Sequence, residues 1–343
     1  MLRLVLFLGL IGIVSAQTPA LEPQDSGSEQ LFIAVSAPDA ETAWIAGTSG
    51  TFGRTVDGGA TWMLSTVPGA DSLQFRDVHA VDANQAYLLS IGTGTDSRVY
   101  KTNDAGTTWS LVYTNDEAEG FLDCMDFWDA DHGLVYGDNV GGRLTLLTTD
   151  DGGMTWRRVP GEALPPALDS EGGFAASGTC VHTMGDREAW VALGNAAEGR
   201  LLHTMDRGVS WAVYTSPIVA HAEGAGHTAV TFRDDLNGVA VGGDLTKPDA
   251  FTQNVVRTTD GGRTWTAGGT LAFAGAAYGA AYVPGQPSAV VATGPNGLSL
   301  STDDGQTWSL LDDKNYWGIG FSPAGNGWAV GRDGRITAIR FGE

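Results

Sequence analysis

The chain has 343 residues, with 19 Lys or Arg against 40 Asp or Glu, which gives a formal net charge of −21. This charge argues against nucleic acid or anionic lipid as the main partner, because both require a basic surface. Glycine accounts for 49 residues and hydrophobic residues for 42 %, which argues against a disordered polyelectrolyte and favours many short strands joined by tight turns.

The N-terminal residues have the pattern of a signal peptide. Arg3 gives a positive start, residues 4–14 form an apolar run, and Val14-Ser15-Ala16 offers a small-residue cleavage site. The apolar run is too short to span a bilayer. We therefore expect residues 1–16 to be removed and the protein to be exported, periplasmic or secreted, without membrane insertion.

Six segments share the pattern Ser/Thr-x-Asp-x-Gly-x-Thr/Ser-Trp, and their tryptophans are 43 to 55 residues apart. A period of about 40–50 residues is typical of propellers and other repeat proteins. The aspartate can accept hydrogen bonds from the turn, the glycine suits a positive φ, and the tryptophan can pack between neighbouring units. Six-fold repetition indicates a structural role for the central aspartates, which are Asp57, Asp104, Asp151, Asp206, Asp260 and Asp303.

A second element precedes each box and consists of an apolar strand, a short turn and a strand ending in glycine. It occurs seven times, and the copies start near Leu31, Phe75, Leu122, Gly178, Thr228, Gly279 and Trp317. The seventh copy has no box and no fourth strand. We expect Thr18-Pro19-Ala20-Leu21, within the spare residues 17–30, to supply that strand and remove the open edge. The prediction is an all-β, seven-bladed propeller over residues 31–343, with Asp-box turns and a ring closed by the N-terminal strand.

The repeated pattern is the Asp-box, and the chain resembles the Asp-box (BNR-type) propellers. Among these it is similar to exported bacterial relatives of the photosystem II stability/assembly factor family. The stretches that carry this resemblance read FRDVHAVDANQAYLLSIG, FLDCMDFWDADHGLVYGD, PPALDSEGGFAASGT and AVGGDLTKPD. The resemblance implies a seven-bladed propeller with an assembly or interaction role, and it implies no reaction.

Motifs for nucleotide, haem or zinc-protease chemistry are absent from the sequence, which contains no P-loop, no G-x-G-x-x-G, no H-E-x-x-H and no C-x-x-C. No cofactor is expected. Two carboxylates at a suitable separation are enough for glycoside hydrolysis, and the many acids of this chain leave that chemistry open.

The long loops fall on the face opposite the boxes, where binding sites concentrate on a rigid scaffold. Our first hypothesis is a non-enzymatic binding or assembly module, expected to be a monomer, that holds a protein or a basic peptide on this acidic face. The alternative is a glycan-active hydrolase that uses two acids of the same face. The candidate ligand-binding residues are Arg76, Asp77, Asp138, Glu171, Asp244 and Lys247.

The inner strands of three consecutive units carry polar pairs at equivalent positions. The pairs are Asp77 with His79, Cys124 with Asp126, and Cys180 with His182. Alternation along a strand places both members of a pair on one side, toward the axial channel. His79, Asp126 and His182 are metal-ligand types, with a wet polar channel as the simpler interpretation. For Cys124 and Cys180 a disulfide, two buried thiols and a thiolate–metal site all remain open.

Overall fold

The computed structural model describes residues 18–222 and 224–342. These residues form 28 strands in seven four-stranded antiparallel sheets, with two short 3₁₀ helices, Gly94–Asp96 and Gly161–Ala163. The prediction of a seven-bladed propeller is confirmed. The expected signal peptide and its cleavage site lie outside the described residues. Within them, no helix has the length and apolar character needed to cross a membrane.

Each of the first three blades consists of four consecutive strands, ordered from the axis outward. Their bounds are β2 Phe32–Ser36, β3 Ala43–Gly47, β4 Thr51–Thr55 and β5 Met63–Thr66 for blade 1; β6 Gln74–Ala80, β7 Ala86–Ile91, β8 Arg98–Thr102 and β9 Ser110–Thr114 for blade 2; β10 Leu122–Phe127, β11 Gly133–Val140, β12 Arg143–Thr149 and β13 Arg157–Arg158 for blade 3.

Blades 4 to 6 repeat this order, and blade 7 takes its outer strand from the N-terminal end of the described chain. The bounds are β14 Val181–Met184, β15 Glu188–Ala192, β16 Gly199–Thr204 and β17 Ala212–Ser216; β18 Ala225–Phe232, β19 Gly238–Asp244, β20 Val255–Thr258 and β21 Thr266–Ala267; β22 Gly279–Tyr282, β23 Val290–Gly294, β24 Gly297–Ser301 and β25 Ser309–Asp312; β26 Ile319–Phe321, β27 Gly327–Val330, β28 Ile336–Arg340 and β1 Ala20–Gln24.

Pairing of β1 with β28 closes the ring, as the sequence predicted. The register runs antiparallel from Ala20 opposite Arg340 to Gln24 opposite Ile336, and the strand begins two residues later than Thr18. The Gln24 side chain then joins blades 7 and 1, because its carbonyl oxygen accepts the indole N–H groups of both Trp62 and Trp328. The last blade is thereby complete and tied to the first.

The six box turns share one set of hydrogen bonds. In the first box, Thr61 donates its backbone N–H to Asp57 Oδ1 at 2.9 Å and its hydroxyl to Oδ2 at 2.6 Å, and Gly59 N–H donates to Thr55 Oγ1. The box glycines in all six copies have φ between 75° and 89°, which is the left-handed region that favours glycine. The boxes are self-contained turns, which supports the structural role expected of their aspartates.

Aromatic residues of the second strands reach across to the next blade. Trp44 donates its indole N–H to the Asp82 carbonyl, Tyr87 donates to the Gly152 carbonyl, and Trp190 donates to the Gly261 carbonyl. The box tryptophans pack around these rings. Trp211 and Trp265 are buried and the other four are half-buried. Buried rings therefore join neighbouring blades, and the polar atoms of Trp44, Tyr87 and Trp190 are satisfied across the junction.

Removing residues 18–24 should open the ring. The deletion takes away the outer strand of blade 7 and leaves β28 as an unpaired edge. We expect a fall in Tm by calorimetry that is large compared with experimental error, because net stabilities are only about 5–15 kcal/mol. Glu22→Gln, an exposed change on the same strand, is the control. An unchanged Tm after the deletion would contradict closure by this strand.

The box aspartates should make stability fall in acid. Hydrogen bonds from Thr61 to Asp57, and from Thr155 to Asp151, lower the pKa of each carboxyl from 3.8 to about 2. A carboxyl whose pKa is lower in the folded state stabilises the fold above its unfolded pKa and loses that effect as the pH falls. The free energy of unfolding should therefore decline between pH 3.8 and about 2.

The double variant Asp57→Asn/Asp151→Asn should be less stable at neutral pH and should show a flatter acid decline, measured by urea unfolding at each pH. Asp71→Asn, an exposed change outside the boxes, serves as the control for charge. An acid decline that is as steep in the double variant as in the wild type would refute this role of the boxes.

Candidate functional site

The two ends of the propeller differ. Turns between first and second strands lie with the boxes on one end, here called the box face. The remaining connections lie on the opposite end, called the loop face. The long connection between β13 and β14 includes residues 172–179, here called the axial segment. The axial segment leaves the loop face and crosses the channel. Its position divides the channel into two compartments.

Contacts with several blades fix the axial segment. Gly172 bridges to Gly194 of blade 4, and the Ala175 carbonyl accepts the Arg76 Nη1–H at 3.0 Å from blade 2. Ser177 Oγ donates to the Tyr278 carbonyl at 2.8 Å beside blade 6. Gly178, at φ 78°, lies against the Asp77 carboxyl, where a Cβ would come within 2.3 Å of Oδ1.

The axial segment lies between two cavities. Phe174, Ala175 and Ala176 line a cavity of about 330 Å³ on the loop face, here called the loop-face pocket. The next three residues, 177–179, line a second cavity of about 700 Å³, here called the axial cavity, whose other lining residues include Pro284–Pro287 of a box-face turn. The two compartments therefore face opposite ends of the molecule.

The loop-face pocket is mostly apolar, and two β-bulges supply polar groups to it. The ladder skips Arg76 in blade 2 and Asp123 in blade 3, and a bulge re-aims the side chain at the extra position. Asp138, at the end of the second strand of blade 3, also lines the pocket. The apolar walls are Ile91, Phe121, Phe174, Ala175, Ala176, Leu245, Tyr278 and Trp317.

Arg76 is held in place at the pocket. Its guanidinium lies 5.0 Å from the centre of the Trp317 ring, a cation–π distance. Besides the Ala175 carbonyl, it donates through Nη2 to Gln74 Oε1 at 3.0 Å. Its buried Nε has no hydrogen-bond partner. Arg76 can therefore offer a fixed positive charge and a spare donor to a bound group.

Two carboxyl groups of this pocket have raised pKa values. Burial, together with the charge of Asp138, raises the pKa of Asp123 well above its usual range. Burial also raises the pKa of Asp138, although Gly173 N–H donates to its Oδ1 at 2.8 Å. Buried Oδ2 of Asp123 has no hydrogen-bond partner, and neither does the nearby Tyr136 hydroxyl. Both carboxyls therefore favour the protonated form more than an exposed carboxyl does.

The remaining four candidates do not line the loop-face pocket. Asp77 is 4 % exposed and lines the axial cavity instead. Glu171 is buried in an ion pair with Arg200 and also accepts the Leu168 amide. Asp244 accepts Lys247 Nζ at 2.8 Å and His221 Nε2 at 3.0 Å. Glu171, Asp244 and Lys247 therefore neutralise charges within the protein.

Burial acts to raise the pKa of Asp244, but the bonds from Lys247, Thr246 and His221 outweigh it and hold the pKa below its usual range. Such a carboxylate is ionised, yet its charge is matched by its neighbours. The acidic loop face inferred from the sequence is thus less acidic at its centre than its residue count indicated.

The axial cavity contains His79, Asp126 and His182, which the structure brings together as the strand alignment predicted. His79 Nδ1 lies 3.1 Å from Asp126 Oδ1. Burial raises the pKa of Asp126, but the hydrogen bond and charge of His79 outweigh it, and the pKa is lowered. Burial lowers the pKa of His182. Among the described residues, no group of three or more His, Cys, Asp or Glu is arranged to hold a metal ion.

A disulfide joins Cys124 to Cys180, with their Cα atoms 5.9 Å apart. Both cysteines are fully buried on adjacent inner strands. Because Cys180 immediately follows the axial segment, the disulfide anchors that segment to blade 3. The sequence left a disulfide, two buried thiols and a thiolate–metal site open, and the structure has the disulfide.

Asp123, Tyr278 and Trp317 were missed by the sequence reasoning. Each lies two residues before the core position of its inner strand, as Arg76 does relative to Val78. The sequence contained a signal for these residues, because aligning the inner strands on their core positions places all four at the same position. The bulges bring Arg76 and Asp123 to the pocket, whereas Tyr278 and Trp317 lie just before the first paired residues of their strands.

No protein-family model and no curated protein sequence matches the chain. Solved structures do match it. YCF48 bound to D1 peptide has a TM-score of 0.65 and 18 % identity, covering 96 % of this chain and 100 % of that one. A streptogramin B lyase has a TM-score of 0.65 and 13 % identity, covering 94 % and 98 %. The GH74 xyloglucanase of Xanthomonas campestris has a TM-score of 0.62 and 17 % identity, covering 94 % and 54 %.

At these identities the likeness concerns the fold. The chain is a seven-bladed β-propeller, a class that includes both binding proteins and enzymes. YCF48 and the lyase match over nearly their whole lengths, whereas this chain spans about half of the xyloglucanase chain. The particular function must be argued from the site.

Asp123→Asn should stabilise the protein at neutral pH. A carboxyl whose pKa is raised in the folded state opposes folding as the pH rises through its unfolded pKa, because it must be buried charged or take up a proton. Asparagine removes that cost and can still accept the Ala175 amide. We expect a higher Tm than wild type at pH 7, and a difference that shrinks in acid. Asp71→Asn should leave Tm unchanged, and a lower Tm for Asp123→Asn at pH 7 would contradict this description.

Proposed function

We propose that this protein is an exported, monomeric binding propeller that holds a segment of a protein or peptide in the loop-face pocket, in the manner of an assembly factor. The observation that carries the proposal is the pocket itself, a mostly apolar cavity of about 330 Å³ with Arg76 and four aromatic residues at its wall. The likeness of the whole chain to YCF48 bound to D1 peptide supports a peptide as the ligand class.

The pocket specifies what the bound segment would present. Trp317, Tyr278 and Phe174 suit an apolar side chain, the usual anchor of a peptide interface. Arg76 would donate to a main-chain carbonyl or carboxylate of the same segment. Basic residues flanking the anchor would be attracted by the protein's net charge of −21. This attraction would speed association at low salt.

A peptide library displayed on phage tests this function. Peptides selected on the immobilised protein should share an apolar anchor, and Arg76→Ala and Trp317→Ala should each weaken a selected peptide by about tenfold or more. Met154→Ala, a 70 % exposed change on the box face, is the matched control. Circular dichroism melting verifies that each variant is folded. The proposal would be rejected if no selected peptide bound the protein. It would also be rejected if Met154→Ala weakened binding of a selected peptide as much as Arg76→Ala and Trp317→Ala do.

A glycan-active hydrolase is the second candidate, and the pair Asp123 and Asp138 is the observation that favours it. Both line the loop-face pocket, and a carboxyl with a raised pKa is suited to act as a general acid. The reducing-sugar assay on soluble polysaccharides discriminates the two functions. Sugar release that is lost in Asp123→Asn would replace the binding proposal, whereas the binding function predicts no release by the wild type.

A further inference from the structure

We propose that the axial cavity is a second site, which binds a small organic cation, an amine or guanidinium attached to an apolar body. This goes beyond the peptide function, because the cavity faces the other end of the molecule and shares no lining residue with the loop-face pocket. A volume of about 700 Å³ falls within the usual range for small-molecule pockets, about 300–1,000 Å³.

The axial segment makes the cavity blind. Ser177, Gly178 and Thr179 line one end, and the box-face turn Pro284–Pro287 lines the other. At the closed end the Asp77 carboxyl is 4 % exposed. Its Oδ2 accepts the Met125 amide at 2.6 Å, and its Oδ1 faces Gly178. The Asp77 carboxyl is therefore packed beneath the axial segment at the closed end, and the accessible carboxylate of the cavity is that of Asp126.

The adjoining wall carries an ionised carboxylate and two imidazoles. Asp126 accepts hydrogen bonds from Thr183, from the Phe127 amide and from His79 Nδ1. In the imidazole form with Nδ1 donating to Asp126, the second ring nitrogen of His79, Nε2, is an acceptor. His182 donates to the Phe232 carbonyl and likewise retains an acceptor. This wall thus offers negative charge and acceptors, which match a ligand rich in N–H donors.

Within the described residues, Arg233 is the one Arg or Lys that lines the cavity. Its charge is already matched, because its Nε lies 2.8 Å from Asp304 and its Nη1 lies 2.7 Å from Asp234. Phe232, Tyr282 and Phe321 also line the cavity, and they supply aromatic surface for the apolar body of such a ligand. A metal ion fits less well, since no described group of ligands can hold one.

Titration calorimetry with phenethylamine, tryptamine and agmatine tests the proposal. Phenethyl alcohol and phenylpropionate serve as neutral and anionic counterparts. At least one amine should bind one molecule per chain, and its counterparts should bind about tenfold more weakly, since a charge-assisted hydrogen bond is lost. No saturable binding by any of the three amines below about 1 mM would overturn the proposal, as would equal binding of phenethyl alcohol.

Two variants locate the site. Asp126→Asn retains an acceptor for the Thr183 amide and hydroxyl but removes the charge, and Ala281→Phe fills the cavity from the opposite wall without changing charge. Each should weaken amine binding by about tenfold or more, while the variants retain the wild-type affinity for a loop-face peptide. Asp71→Asn removes the same charge on the loop face and should change nothing. Wild-type amine affinity in a folded Asp126→Asn or Ala281→Phe variant, or an equal loss in Asp71→Asn, rejects this cavity as the site.

Discussion

The main-chain pairing of β1 with β28 is the contact on which the rest of the structure depends. Propeller blades contact only their neighbours, so an unfinished blade exposes one edge and weakens the whole ring. Blades 7 and 1, which the closed ring brings side by side, also pack closely at their inner strands. A Cβ on Gly318 would lie 2.4 Å from the Ile33 carbonyl oxygen, and one on Gly320 would lie 2.7 Å from that of Val35. Both positions therefore require glycine.

The fold could be predicted because its determinants are local and repeated. Each Asp-box makes its hydrogen bonds within about eight residues, so the pattern at Asp57 or Asp303 is readable without knowing the neighbours. The missing strand followed from counting, since six boxes and seven strand pairs leave one blade incomplete. His79, Asp126 and His182 were placed together for the same reason, because equivalent positions on repeated strands share a layer of the channel.

The pocket was only partly predictable, because its geometry depends on non-local packing. Arg76 and Asp138 were found, but Asp77 faces the other compartment, since the axial segment crosses between them. Glu171 and Asp244 were assigned to ligand from the count of acids alone. Their burial requires partners, and Arg200, Lys247 and His221 supply them. Neither these pairings nor the bulge at Asp123 is visible from the spacing of one repeat.

The axial segment gives this propeller two cavities where an open channel would give one. Its first part lines the loop-face pocket through Phe174 and Ala175, and its last part lines the axial cavity through Ser177 and Gly178. The disulfide at Cys180 anchors one end, and the hydrogen bond from Ser177 to the Tyr278 carbonyl anchors its centre. A wall fixed at both points keeps the aromatic, Arg76-bearing pocket apart from the carboxylate-bearing cavity. The two ligands proposed above, an apolar peptide anchor and an organic cation, would therefore bind on opposite faces of one ring.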